Sequence, residues 1–147
     1  MKKFEILEHK ADLKIRAFGK TKEELLENLM LAMLEGARYE KNLQSQTSKV
    51  EVKISSMDLP SLLVDFLSEV LYLCETRKEV YQKVEFKKFL ETPKQNKFAT
   101  GQVEIEATLT GKKLERMGVH IKAVTYHGLD IHRKGDGIWQ ATVLFDI

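Results

Sequence analysis

The sequence has one cysteine, two prolines and no apolar run approaching the ~20 residues that a membrane span requires. A single cysteine, Cys74, excludes an internal disulfide framework and a multi-cysteine zinc site. It lies in an apolar helical stretch and reads as a small buried hydrophobe. The opening segment MKKFEILEHK lacks the long apolar core of a targeting peptide. A cytoplasmic protein with no membrane partner is therefore expected. An excess of either charge is also lacking, since 24 Lys and Arg against 22 Asp and Glu leave a net charge of +2. A dedicated nucleic-acid binder normally carries a basic excess, so DNA is not an expected partner. Catalytic signatures are missing too. There is no HExxH, no G-x-S-x-G, no P-loop and no dinucleotide fingerprint. The four histidines, His9, His120, His127 and His132, have no cysteine spacing that would make a zinc site.

What is present is ordinary apolar content, 43%, and a high charged content, 31%. A chain of 147 residues suggests one domain spanning residues 1–147 that buries about two-thirds of its surface. Lys3 to Glu8 alternates apolar and polar side chains, and Leu13, Ile15 and Ala17 resume the alternation. His9 and Asp12 thus flank a bend between two short strands, or a bulge in one long strand. Thr21 with Glu24 forms a capping box that opens a helix over Lys22 to Ala37. Lys41 to Ser48 reads as a loop, and Val50 to Ile54 as a strand. Asp58 is a candidate N-cap, with Pro60 tolerated in the first turn of a second helix. That helix is apolar over most of its circumference and is expected to be the most buried element.

Val80 to Leu90 and Phe98 to Leu109 alternate as strands, joined by a polar turn over Pro93 to Lys97. Gly111 to Gly118 reads as a charged connection. Val119 to Tyr126 is β-branched and aromatic and predicts another strand. Lys134-Gly135-Asp136-Gly137 is a hairpin turn signal. Trp139, Ala141, Val143 and Phe145 then alternate with Gln140, Thr142 and Leu144 up to the terminal Asp146-Ile147. Strands in runs around two helices predict an α+β fold, with the helices on one face of a largely antiparallel sheet.

The residues left to carry chemistry are Asp12, Asp146 and the Ile147 carboxylate. Carboxylates brought together repel, raise one another's pKa or bind a cation. Hard oxygen donors select calcium or magnesium over soft metals. By spacing alone, the favoured reading of Asp12 is a turn residue bonding its own backbone, and that of Asp146 a solvated chain end. Lys122 is either an edge-strand guard against aggregation or a cation presented near the carboxylates.

Four segments taken together resemble one family: His9-x-Ala11-Asp12, Gly19-Lys20-Thr21-x-Glu23-Glu24-Leu25, Ile121-Lys122-Ala123-Val124-Thr125-Tyr126-His127-Gly128-Leu129, and the terminal Phe145-Asp146-Ile147. In this order they resemble archease over essentially the whole chain. The resemblance implies a small α+β sandwich built on strand-helix-strand-strand units. It also implies an accessory protein, not an enzyme, that activates an RtcB-type RNA ligase. Such a protein promotes guanylylation of the ligase histidine and multiple turnover in tRNA splicing and RNA repair. GTP would be met only through the ligase, and tRNA or other RNA only indirectly. The resemblance further implies a divalent-cation site on Asp12, Asp146 and Ile147. Calcium is the first expectation, with magnesium or manganese as alternatives. Lys122 would act with Asp12 and Asp146 on the partner, and His9 would support the loop. Lys10 stands where the family usually has threonine, and its charge would weaken cation binding.

Two other readings use the same residues. One is a small metal-dependent hydrolase, with His9 or His127 as the base. The other is an RNA-binding, chaperone-like module using Phe86-Lys87-Lys88-Phe89, where aromatics stack and lysines meet phosphates.

Overall fold

The computed structural model describes residues 1–92 and 103–147, apart from the His9 side chain. The turn expected over Pro93–Lys97, and the beginning of the strand expected from Phe98, lie outside the described residues. Among the described residues the order is β1 (Phe4–His9), β2 (Asp12–Gly19), α1 (Lys22–Gly36), β3 (Tyr39–Lys41), β4 (Ser48–Ser56), α2 (Leu59–Arg77), β5 (Glu79–Glu91), β6 (Val103–Met117), β7 (Ala123–Arg133) and β8 (Trp139–Asp146).

The strands form two four-stranded antiparallel sheets rather than the single sheet expected. The first has the order β1-β2-β8-β7. In the second, β4 and β5 both pair with β6, and β3 pairs with its last residues. Both helices pack against strands of both sheets. Side chains of α1 make this explicit. Asn28 donates through Nδ2 to the Phe18 carbonyl of β2 at 2.6 Å, and Glu27 accepts the Val84 amide of β5 at 2.8 Å. A helix contacted from both sides needs apolar residues around most of its surface. Leu25, Leu26, Leu29, Met30, Ala32, Met33 and Leu34 of α1 are all buried. The helix expected to be most buried, α2, instead leaves Asp65, Ser68, Tyr72 and Glu75 exposed.

Local chemistry sets the helix ends. The Glu24 amide donates to Thr21 Oγ1 at 3.1 Å, and the Glu24 carboxylate reaches back to the Lys20 amide at 3.2 Å. This is a capping box with its return bond displaced by one residue. At α2 the Ser61 amide donates to Asp58 Oδ1 at 2.9 Å. Helix α1 stops at Gly36, one residue before the expected end. Its chain then reverses through Arg38 at φ 57° into β3. A three-residue strand is too short to show a period, so the sequence read its last residue, Lys41, as the start of a loop. The charged stretch after Gly111 also departs from expectation. It continues β6 to Met117, because Tyr39, Glu40 and Lys41 supply partners for it. Its polar side chains are those of a strand end with little cover.

One hydrophobic cluster joins all these elements. Leu13, Ile15 and Ala17 of β2 meet Ala141, Val143 and Phe145 of β8 on the helix side of the first sheet, all at 0% exposure. Burial of Leu13, Ile15, Val143 and Phe145 contributes on the order of 1.5–3 kcal/mol each. Cys74 lies in this core. Burial, with smaller contributions from Glu75 and Glu79, pushes its thiol up to about 12.

Three outcomes are expected. Replacing Asp58 by Ala removes the cap of α2 and should lower the unfolding free energy by about 1 kcal/mol in urea titration. The raised Cys74 pKa makes the buried neutral thiol a source of stability below its unfolded value of about 8.5. That contribution is lost as pH rises from about 9 toward 12. Native protein should therefore resist a thiol reagent at pH 8 and react fully in denaturant. Cys74→Ala protein should lose less stability than wild type between pH 9 and 12.

Candidate functional site

The first sheet has one face on the core and one open. Alternation along β2 puts Leu13, Ile15 and Ala17 inward and Asp12, Lys14, Arg16 and Phe18 outward. Alternation along β8 puts Asp146 outward in the same way, next to the buried Phe145. The register pairs Leu13 with Phe145 and Asp12 with Asp146. Residues directly opposite on antiparallel strands have Cβ atoms about 4.5–5.5 Å apart and share a face. The two carboxylates that spacing alone left unconnected are therefore neighbours at one end of an open sheet.

Asp12 opens β2 directly after the β1–β2 turn at Lys10-Ala11, so the bend reading is the correct one. A bulge also exists, but it lies within β1 between Ile6 and Glu8. Asp146 is flanked on its other side by β7, where Ala123 is its partner. The Lys122 amide donates to the Asp146 carbonyl at 2.7 Å. Lys122 thus precedes β7 rather than lying inside a strand from Val119. Among the described residues it forms no ion pair. Ile147 follows β8 and packs its partly buried side chain against the core. The supporting role expected of the His9 side chain lies outside what the structure describes.

The stretch before β7 is bound at nearly every residue. Gly118 and Val119 donate their amides to the Arg38 and Ala37 carbonyls at 3.0 and 2.8 Å. The Ile121 amide donates to Tyr39 Oη at 3.5 Å, and the Ile121 side chain is buried. His120 pairs with Glu75 of α2. Tyr39 is buried, and its phenol is raised above its ordinary pKa by desolvation, partly offset by the Ile121 amide. A groove of about 280 Å³ lies between Ser68, Leu71, Tyr72 and Glu75 of α2 and the run Ile121–Val124. Lys122 therefore adjoins both the acidic pair and this groove. Sequence reading missed Tyr39, Glu75 and His120, because long-range pairings carry no local period.

The run from Ala123 is not a smooth strand. Thr125 pairs with Leu144 and Asp130 with Thr142, so β7 carries more residues than β8 between these pairs. The excess forms a bulge through Tyr126, His127 and Gly128, with Gly128 at φ 66° and open space around it. Tyr126 is exposed. Only Gly137 of the two turn glycines uses positive φ, in the expected 134–137 turn.

As a ligand set, Asp12 and Asp146 offer hard oxygen atoms, which suit calcium, magnesium or manganese. Among the described residues no group of three or more His, Cys, Asp or Glu is gathered for a metal ion. The pair suits a hard cation that completes its shell with main-chain or terminal oxygens, water or a partner. Lys14, next outward on β2, adds positive charge beside it. The Phe86–Phe89 tetrad does not make an open stacking platform. Phe86 packs near Phe66 and Phe89, and both Phe86 and Phe89 lie against the core. Lys87 pairs with Glu51, and Lys88 with Glu104 at 3.0 Å.

Two helices between antiparallel sheets, with facing aspartates at the end of one sheet, define an α+β protein of one recognisable kind. The sequence model of the archease protein family (MTH1598/TM1083) matches residues 4–147. The chain is 39% identical to the archease of Methanosarcina barkeri over 99% of its own length and 97% of the relative's. It is 32% identical to the archease of Pyrococcus furiosus, each chain covered in full. The solution structure of Methanobacterium thermoautotrophicum protein 1598 superposes over all of both chains, at 30% identity and a TM-score of 0.73. The fold also matches a crystal structure described as an archease, possible chaperone, from Thermotoga maritima. There the identity is 23%, the coverage 97% and 96%, and the TM-score 0.62. The chain belongs to the archease family.

Like charges directly opposite on a sheet are unfavourable. Asp146→Asn should therefore raise the unfolding free energy in EDTA by about 0.5 kcal/mol. Chemical denaturation of both proteins checks this.

Proposed function

We propose that this chain is an accessory protein of an RtcB-type RNA ligase. It promotes guanylylation of the ligase histidine and supports multiple turnover in tRNA splicing and RNA repair. The observation that carries the reading is the pairing of Asp12 with Asp146 beside Lys122 at one open end of the first sheet. Family membership supports it.

Phosphoryl and nucleotidyl transfer depend on positioning and on neutralising phosphate charge. In the proposed mechanism the tip formed by Asp12, Lys122 and Asp146 reaches the ligase's nucleotide pocket. Asp12 and Asp146, with the Ile147 carboxylate as a further donor, would hold a divalent cation. Calcium is favoured, with magnesium or manganese as alternatives. Once bound, the cation would supply neutralisation of phosphate charge. Lys122 would add a cation for the same phosphates. Lys10 and Lys14 lower the site's affinity by opposing the incoming charge. GTP enters through the ligase alone, and RNA is reached through it. His9 supports the turn that carries Asp12.

The test is single-turnover guanylylation of the cognate ligase. Asp12→Ala, Asp146→Ala and Lys122→Ala should each lower the stimulated rate by about tenfold or more, while Lys87→Ala leaves it unchanged. Wild-type stimulation by both aspartate variants would sink the mechanism. Millimolar calcium should raise the melting temperature of wild-type protein and not that of Asp146→Ala.

A further inference from the structure

The connection from β6 to β7 crosses from the second sheet to the first. It has no strand structure of its own over 118–122. Free connections of this length are usually mobile, yet this one is bound at each step. Gly118 and Val119 are held by the carbonyls that end α1. A Cβ on Gly118 would come within 2.7 Å of the Ala37 carbonyl oxygen, so only glycine fits against the helix end. His120 is tied to α2 through Glu75. Ile121 is buried, and its amide meets the Tyr39 hydroxyl. Lys122 then closes on the Asp146 carbonyl. The helix end that supplies these contacts is itself held in an unusual conformation, with Arg38 at φ 57°. A non-glycine residue adopts that region at a cost of roughly 1–2 kcal/mol, and only where its surroundings over-determine it.

From this geometry we infer that residues 118–122 form a rigid strut that sets Lys122 against Asp146. Tyr39 and the Glu75–His120 pair are its positioning residues. None of the three belongs to the acidic pair. Each acts through Lys122, by fixing the backbone just before it. The strut also explains how the backbone of a lysine outside any strand is held at a fixed place, where a free loop would spread it over many positions. The consequence for activation rests on the ligase reading above. The mechanical statement about Lys122 does not.

The experiment therefore has two arms, run on full-length Tyr39→Phe and Glu75→Ala proteins. Tyr39→Phe removes one oxygen and keeps the buried ring, and Glu75 is a surface residue, so both variants should fold. In the first arm, amide hydrogen exchange should show the Lys122 amide exchanging at least tenfold faster in each variant, with the β2 and β8 core amides unchanged. Unaltered protection of Lys122 in both variants would overturn the strut. In the second arm, stimulation of ligase guanylylation is titrated. The rate at saturation should fall severalfold, while the concentration giving half-maximal stimulation stays constant. A loss that appears only as weaker half-saturation would overturn the positioning role, as would full stimulation despite rapid Lys122 exchange. If wild-type protein fails to stimulate any ligase, the functional reading fails and the exchange arm still decides the strut.

Discussion

The register between β2 and β8 holds the molecule and its candidate site together. It sets Leu13 against Phe145, Ile15 against Val143 and Ala17 against Ala141 on the covered face. On the other face it sets Asp12 against Asp146. A strand's side-chain period is two, so a slip of β8 by one residue would bury Asp146 and expose Phe145, Val143 and Ala141. Apolar burial thus enforces an arrangement that carboxylate repulsion alone would oppose. The acidic pair is stable because several buried pairs outweigh one unfavourable one.

Placing the helices in contact with both sheets has consequences beyond the core. It makes α1 the shared support, bonded to β2 through Asn28 and to β5 through Glu27. It also brings the end of α1 next to the chain crossing between sheets. Lys122 arrives beside Asp146 through this crossing. The site therefore draws on β2, β8 and the approach to β7, and each is supported from behind by a different part of the core.

The charge distribution fits a surface completed by something else. Two carboxylates face each other, a lysine adjoins them without an ion pair among the described residues, and further lysines lie close by. Elsewhere on the surface, some charges pair across strands, as in Lys87 with Glu51 and Lys88 with Glu104. Exposed pairs of that sort contribute little to stability, but each occupies a lysine that would otherwise be open to a phosphate. The charges at the tip are open to a partner.

Much of this was legible in the chain. Alternation alone identified β2, β4 and β8 and their inward faces, and capping residues identified both helix starts. Those signals are local, set by side chains within a few positions of one another. The strand β3 was not legible, because three residues show no period. The extension of β6 past Gly111 was missed because its cover comes from β3, distant in sequence. The bulge at Tyr126–Gly128 hid inside a run of good strand formers. Asp12 and Asp146 were visible as candidates, and the family resemblance joined them, but no spacing could place them face to face. The sequence by itself determined the elements, their buried faces and the carboxylates' outward direction, since each follows from a period of two or 3.6 along the chain. Only the tertiary structure decided that there are two sheets and that Asp12 meets Asp146. It alone fixed Lys122 through Tyr39 and Glu75, because pairing between distant segments is a property of packing, not of any local pattern.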